Sequence, residues 1–381
     1  DARDVKLYFD LPNNMAEINP EKEGDAAINF PFAQYKTSIS SARWDLINQK
    51  ILMRKADAVE LENSYFYSTR KDMDSIVFLA SEASYDMKTQ ELLISGIPEI
   101  QVADARVIPN NGKVMVGENS VISKLKNAIV LLDTVHGYHR LSDAEIEITS
   151  RKKFSGFGTY EYVNAFQDTF KIRMSNFSLD TISENLNFKG AQQRFQTTAF
   201  GEVSDKDNLF LAPQIYFKGK MTMKASHPSL ILDGYVKLDL KRIKPYDTWI
   251  SYSQTANTRE IMIDFDKAIT EEGKRASAGI HFASDNDLYV TFITEKKDSD
   301  HEDFFTPSGM LFFNQEHSDD VATFVCDDRQ KTNATYLPNG FGKGWCLANN
   351  DIAFHSGQNN SGNDRYSLLL PLILNLKSYR L

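Results

Sequence analysis

The phrase Ala42-Arg43-Trp44-Asp45-Leu46-Ile47-Asn48-Gln49-Lys50-Ile51-Leu52 returns 41 residues later as Ala83-Ser84-Tyr85-Asp86-Met87-Lys88-Thr89-Gln90-Glu91-Leu92-Leu93. The shared pattern is Ala, any residue, aromatic, Asp, apolar, two polar positions, Gln, any residue, apolar, Leu. A copy at that distance duplicates a whole supersecondary unit. In each copy an aromatic-Asp step enters a turn and the Gln marks the start of a return strand. One hairpin leaves an apolar face bare, so a chain of copied hairpins is stable only if neighbours cover one another. Such an array serves as a scaffold or conduit more readily than as an enzyme.

Period-two alternation extends this reading along the chain. Val236, Leu238 and Leu240 oppose Lys237, Asp239 and Lys241. Ala144, Ile146 and Ile148 oppose Glu145, Glu147 and Thr149, and Phe170, Ile172 and Met174 oppose Thr169, Lys171 and Arg173. Ile261, Ile263 and Phe265 oppose Met262, Asp264 and Asp266. Strands with one buried and one wet face belong to antiparallel sheets. Turn signals separate such runs: Asp86–Gln90, Asn110-Asn111-Gly112-Lys113, Asp205-Lys206-Asp207-Asn208 and Asp285-Asn286-Asp287. Two segments read as helix or strand. Val121, Ile122, Leu125, Ala128, Ile129 and Leu132 have helical spacing, yet a turn at Asn119-Ser120 before a buried Ala128–Leu132 strand fits equally. Asp266–Ala278 is a second helical candidate, ended by Gly279.

The expected fold is therefore all-β: mostly antiparallel hairpin repeats forming a folded-over sheet, a β-solenoid or a sandwich-like array. Residues 1–150 are expected to hold the duplicated hairpins and 151–300 to continue the β-repeat. The acidic run Asp298–Asp303 reads as a solvated loop and a boundary. Residues 301–381 are expected to form an irregular, loop-rich unit or cap.

A net charge of −9 argues against a nucleic-acid binder, which needs a basic face to track phosphates. No run of about 18 apolar residues is present, so no transmembrane segment is expected. The longest apolar stretch, Leu368–Leu374, contains Pro371 and reads as a buried terminal strand. The first residue is Asp1. A removed leader or excision from a longer chain would each fit export. Cys326 and Cys346 lie in no Cys/His cluster, which disfavours zinc. A disulfide between them would contribute about 3 kcal/mol in an oxidising compartment, and two separate buried thiols fit equally.

Few residues suggest chemistry. Asp133, His136 and His139 include a His-x-x-His pair, but residues three apart on a strand face opposite ways. His301-Glu302-Asp303 offers donors for a hard cation without the alternating ligands and glycine of an EF-hand loop. No Gly-x-Ser-x-Gly elbow occurs, and Gly156-Phe157-Gly158 lacks the helix that a phosphate cradle needs. Tyr65-Phe66-Tyr67 and Tyr160-Glu161-Tyr162 would suit a sugar-stacking platform or, more simply, core and cross-strand pairs. No catalytic, cofactor or metal residues are assigned.

The phrase Ala83–Leu92, followed by Ser95-Gly96 and Ile100-Gln101-Val102-Ala103-Asp104-Ala105, resembles the OstA/LptA-type repeat. Phe30–Ile39 and Phe66–Arg70 are similar to segments of large envelope proteins of Gram-negative bacteria. The resemblance implies antiparallel hairpins stacked into a β-jellyroll with a greasy groove. It also implies an exported protein of the periplasm, outer membrane or cell surface. The expected function is a non-catalytic β-scaffold or lipid-shielding conduit, its partners lipid or other envelope subunits joined through edge strands. A polysaccharide-binding module and a glycan hydrolase are the alternatives.

Overall fold

The structure is a computed structural model. It describes residues 5–21, 28–39, 41–133, 136–182, 194–213, 215–239, 247–256, 260–264, 267–284, 288–305, 310–314, 324–327, 345–348 and 351–354. The fold is all-β, and among the described residues no helix reaches seven residues. The first strands are β1 (Val5–Asp10), β2 (Met15–Pro20), β3 (Ile28–Phe30), β4 (Tyr35–Thr37), β5 (Ser41–Asp45) and β6 (Lys50–Arg54). Next come β7 (Tyr65–Ser68), β8 (Val77–Leu79), β9 (Glu82–Asp86), β10 (Glu91–Ser95), β11 (Ile100–Val102), β12 (Ala105–Ile108) and β13 (Val114–Val116). They are followed by β14 (Leu125–Leu132), β15 (His139–Ser150), β16 (Lys153–Val163), β17 (Thr169–Ile182), β18 (Arg194–Val203) and β19 (Phe210–Ala212). Then come β20 (Ile215–Lys224), β21 (Ile231–Leu238), β22 (Ile250–Thr255), β23 (Glu260–Asp264), β24 (Ser277–Phe282), β25 (Leu288–Thr294) and β26 (Glu302–Phe305). The last are β27 (Met310–Asn314), β28 (Phe324–Asp327), β29 (Trp345–Ala348) and β30 (Asp351–Phe354).

Among the described residues antiparallel pairing builds five sheets. One runs β1-β2-β5-β6-β9-β10-β13 and another β3-β4-β7-β8. A third follows β11-β12-β14-β15-β16-β17-β18-β20-β21-β22, with β19 on β20, and curls into a half barrel. The remaining two are β23-β27-β28-β29-β30 and β25-β24-β26. The chain divides into two compact units, Asp1–Tyr162 with Lys171–Gly201 and Thr222–Pro228, and the remainder.

From β1 to β10 the chain alternates between the seven- and four-stranded sheets, one hairpin in each. The duplicated phrases are the hairpins β5-β6 and β9-β10, in the same register: Asp45 pairs with Lys50 and Asp86 with Glu91. Each turn is closed by its Asp. The Asp45 carboxylate accepts from the amides of Ile47 (3.1 Å) and Asn48 (2.9 Å), and Asp86 from those of Lys88 (2.9 Å) and Thr89 (3.2 Å). Those amides, Asn48 and Lys88 foremost, hold the two carboxyls below the ordinary carboxylate value. Gln49 and Gln90 end the turns in left-handed geometry, at φ 56° and 60°. The Gln is thus the last turn residue and not the first residue of the return strand. The β1-β2 turn repeats the device with Asp10, Asn13 and Asn14 (φ 52°). Adjacent turns are also bonded: Leu46 N donates to Asn14 O and Met87 N to Gln49 O, both at 3.0 Å.

Register carries two inward rows across the seven-stranded sheet. One runs Phe9, Ala16, Trp44, Ile51, Tyr85, Leu92, Val116; the other runs Leu7, Ile18, Ala42, Met53, Ala83, Ile94, Val114. The facing four-stranded sheet contributes Phe30, Tyr35, Phe66 and Phe78, all buried, and the Phe30 and Tyr85 rings meet at 4.9 Å. A loop at Asn119–Ser120 clips onto the β3-β4 turn: the amides of Asn119 and Ser120 donate to Phe32 O (2.8 Å) and Ala33 O (3.0 Å).

Neither helical reading yields a helix: the strand alternative holds at Ala128–Leu132, and the described part of Asp266–Ala278, from residue 267 on, is a turn between extended stretches. Residues 125–132 form β14, where Asn127 (φ 53°) sits in a bulge between Leu125 and Ala128. The extra residue puts buried positions at 125, 128, 130 and 132, which imitates a helical stripe. Residues 267–278 hold a tight turn instead of a helix: Gly273 N donates to Thr270 O (2.9 Å) and Thr270 N to Lys274 O (2.8 Å). In the second unit, Gly219 (φ 140°) and Gly234 let two backbones nearly touch. A Cβ on Gly234 would lie 2.2 Å from Lys218 O. Most of 301–381, including Leu368–Leu374, lies outside the described residues, and its described parts are strands.

Two outcomes test this packing. The Tyr35 hydroxyl is buried with no hydrogen-bond partner among the described residues, and burial pushes its phenol well up. An unpaired buried hydroxyl costs about 1–3 kcal/mol, so Tyr35→Phe is expected to raise stability by about 1 kcal/mol in urea unfolding. A loss of that size would refute the assignment. Left-handed geometry costs a non-glycine residue about 1–2 kcal/mol, and more where Cβ is branched. Gln90→Gly is therefore expected to hold or raise the urea midpoint and Gln90→Val to lower it. The reverse order would show that the turn is built differently.

Candidate functional sites: a buried His relay and an open sheet edge

Strand alternation sends Ser277 and His281 of β24 to one face, where Thr291 of β25 meets them. Asp303 arrives from β26. His281 Nδ1 donates to Asp303 Oδ1 at 2.7 Å, and the Thr291 hydroxyl donates to His281 Nε2 at 2.7 Å. Ser277 Oγ lies 3.0 Å from Thr291 Oγ1. The Lys296 ammonium is 2.5 Å from Asp303 Oδ1, and Tyr289 OH is hydrogen-bonded to His301 Nδ1 at 3.0 Å. The order carboxylate, imidazole, hydroxyl is that of a nucleophile-activating triad. Access differs. His281 is 0% and Thr291 4% exposed, so no acyl group reaches the hydroxyl without opening the sheet, while the Asp303 side chain is 43% exposed. What the arrangement can do is hold a neutral imidazole in one tautomer, its proton on Nδ1 toward Asp303. Burial depresses the His281 pKa, against the pull of Asp303. Burial would raise Asp303, but Lys296 and His281 bring it below the ordinary value.

The second site is β1. It ends the seven-stranded sheet, and among the described residues no strand pairs with its other side. Leu7, Tyr8 and Phe9 are 53%, 68% and 50% exposed. At the far end of the same sheet the edge is covered: Gly117 N donates to Val121 O, Ser123 N donates to Met115 O, and Val116 bridges Ile122.

The residues singled out from sequence disperse. His136 bonds Asp133 at 2.7 Å on the surface, while His139 is buried and its Nε2 donates to His227 O at 2.6 Å. Burial lowers the His139 pKa, as suits a neutral imidazole. Asp303 is engaged by Lys296 and His281 and His301 by Tyr289, and no metal-holding cluster occurs among the described residues. Phe66 and Tyr162 are buried, and burial, with Tyr160 beside it, pushes the Tyr162 phenol up to about 12. Tyr65 and Tyr67 pair at 6.2 Å on the half-exposed face. Cys326 pairs with Leu311 and Cys346 with Val325 on adjacent strands; their side chains are not among those described. No helix among the described residues is long and apolar enough to cross a membrane. Of the relay only Asp303 stood out in the sequence, because His281, Thr291 and Asp303 sit on three strands that meet only through the pairing of β24 with β25 and β26.

No protein-family model matches the chain, and neither does a curated protein nor a solved structure.

The sign of the His281 shift sets a pH dependence. Above the ordinary imidazole value of 6.5 the folded and unfolded states are both neutral there. As pH falls below it, the unfolded chain takes up a proton first, so folding loses stability. Melting curves of the native chain are expected to drop between pH 7 and 5 by more than those of His281→Gln. Parallel curves would show that His281 is not a buried neutral imidazole.

Proposed function

We propose that the chain is a non-catalytic β-scaffold of a Gram-negative cell envelope, exported to the periplasm or cell surface, in which hairpin units join edge to edge. The observation that carries this reading is the bonding of one turn to the next, Asn14 to Leu46 and Gln49 to Met87, along an uninterrupted inward row. A geometry that adds identical units sideways extends without new chemistry. The resemblance of Ala83–Ala105 to OstA/LptA-type repeats supports the envelope setting.

A lipid conduit would need room between the apolar faces. Here Ala16, Tyr35, Phe66, Leu92 and Ile94 are fully buried against one another's sheets, which favours a filled scaffold over an open slot. A glycan platform would need its aromatics outside, and a hydrolase an accessible nucleophile or carboxylate pair.

Native mass spectrometry of protein recovered from lipid-rich extract is the test. The expected spectrum shows bare protein, with no adduct in the mass range of acyl lipids. A stoichiometric acyl adduct would replace the scaffold reading with the conduit.

A further inference from the structure

We infer that β1 is a self-complementary docking edge, and that its occupant is β1 of a second copy of this chain, paired antiparallel about a two-fold axis at Tyr8. This deepens the scaffold reading by naming the partner, and rests on it for treating sheet edges as joints.

The first argument is register. The two inward rows of the seven-stranded sheet end on Leu7 and Phe9, which share the face of Ile18 and Ala16 yet remain half exposed. A greasy row stopped at a wet edge is an aggregation liability unless something continues it. Antiparallel pairing centred on Tyr8 sets Leu7 opposite Phe9 of the second copy, and Phe9 opposite its Leu7. Each row then runs on into the neighbouring sheet.

Charge gives the second argument. On the outer face, junctions between successive hairpins carry opposite charges across the strands: Glu17–Arg43 at 3.3 Å between β2 and β5, then Lys50–Asp86 at 3.5 Å and Arg54–Glu82 at 3.7 Å between β6 and β9. The strand Val5-Lys6-Leu7-Tyr8-Phe9-Asp10 carries one cation and one anion equidistant from Tyr8. The two-fold therefore brings Lys6 opposite Asp10 of the other copy, twice, with the two Tyr8 rings between. A shift of register by two residues loses these pairs. Asp10 keeps its turn contact to Asn13 in this arrangement, as Asp86 does while facing Lys50.

Sedimentation equilibrium of the full chain from 1 to 100 μM is expected to give twice the 43.3 kDa chain mass at the upper end. Lys6→Asp and Asp10→Lys are each expected to weaken dimerisation at least tenfold. The double exchange restores opposite charges across the axis and is expected to bind at least threefold tighter than either single variant, although Asp10→Lys also gives up the turn contact to Asn13. Tyr8→Cys, with Cys326 and Cys346 both replaced by serine, is expected to cross-link to itself on mild oxidation. A monomer at 100 μM overturns the proposal. So does a dimer indifferent to both reversals and to Tyr8 cross-linking, which would use another surface. Either failure leaves the bare mass spectrum, and with it the scaffold reading, intact.

Discussion

An extended strand has two sides, and in this molecule one of them cannot be left in water. That constraint orders the N-terminal array. Ala42 and Trp44 face inward in one hairpin and Ala83 and Tyr85 in its copy, each opposite an apolar residue of the return strand. No single hairpin buries these groups. Burial comes from the four-stranded sheet laid across them and from the next hairpin beside them, so the unit of stability is the neighbourhood and not the repeat.

Turn chemistry makes the rows line up. A slip of one residue would send every inward side chain outward, so something local has to choose the register. Asp45 and Asp86 do this by gathering the amides of a four-residue turn, and Gln49 and Gln90 close it in left-handed geometry. The closing carbonyl of one turn then accepts the first amide of the next. Local geometry and sheet growth are thus set by the same few atoms.

The sequence made the duplicated hairpins and the antiparallel alternation legible because both are written in period and spacing. It left β14 open between helix and strand, because Asn127 inserts one residue and converts a period of two into an apparent helical stripe. A bulge has no composition signature, so pattern alone could not separate the readings. The His281 relay was hidden for a different reason. His281, Thr291 and Asp303 sit on three strands, and only the pairing of β24 with β25 and β26 brings them together. The His-x-x-His spacing of His136 and His139 was visible but empty, since alternation and a turn part the two rings.

On the scaffold reading proposed above, a relay with a buried imidazole and hydroxyl has a place. The β24-β25 pairing shifts register between Ser277 and Gly279, so backbone bonds alone specify it weakly there. Side chains that must find each other specify it better. His281 is satisfied only when Thr291 lies at one nitrogen and Asp303 at the other, and leaving either buried nitrogen unpaired would cost free energy. Polar groups inside an apolar sheet penalise every wrong alignment more than they stabilise the right one. The relay thus does by hydrogen bonding in the second unit what the Asp-closed turns do in the first, and in both places polar atoms set the register while apolar ones supply the burial.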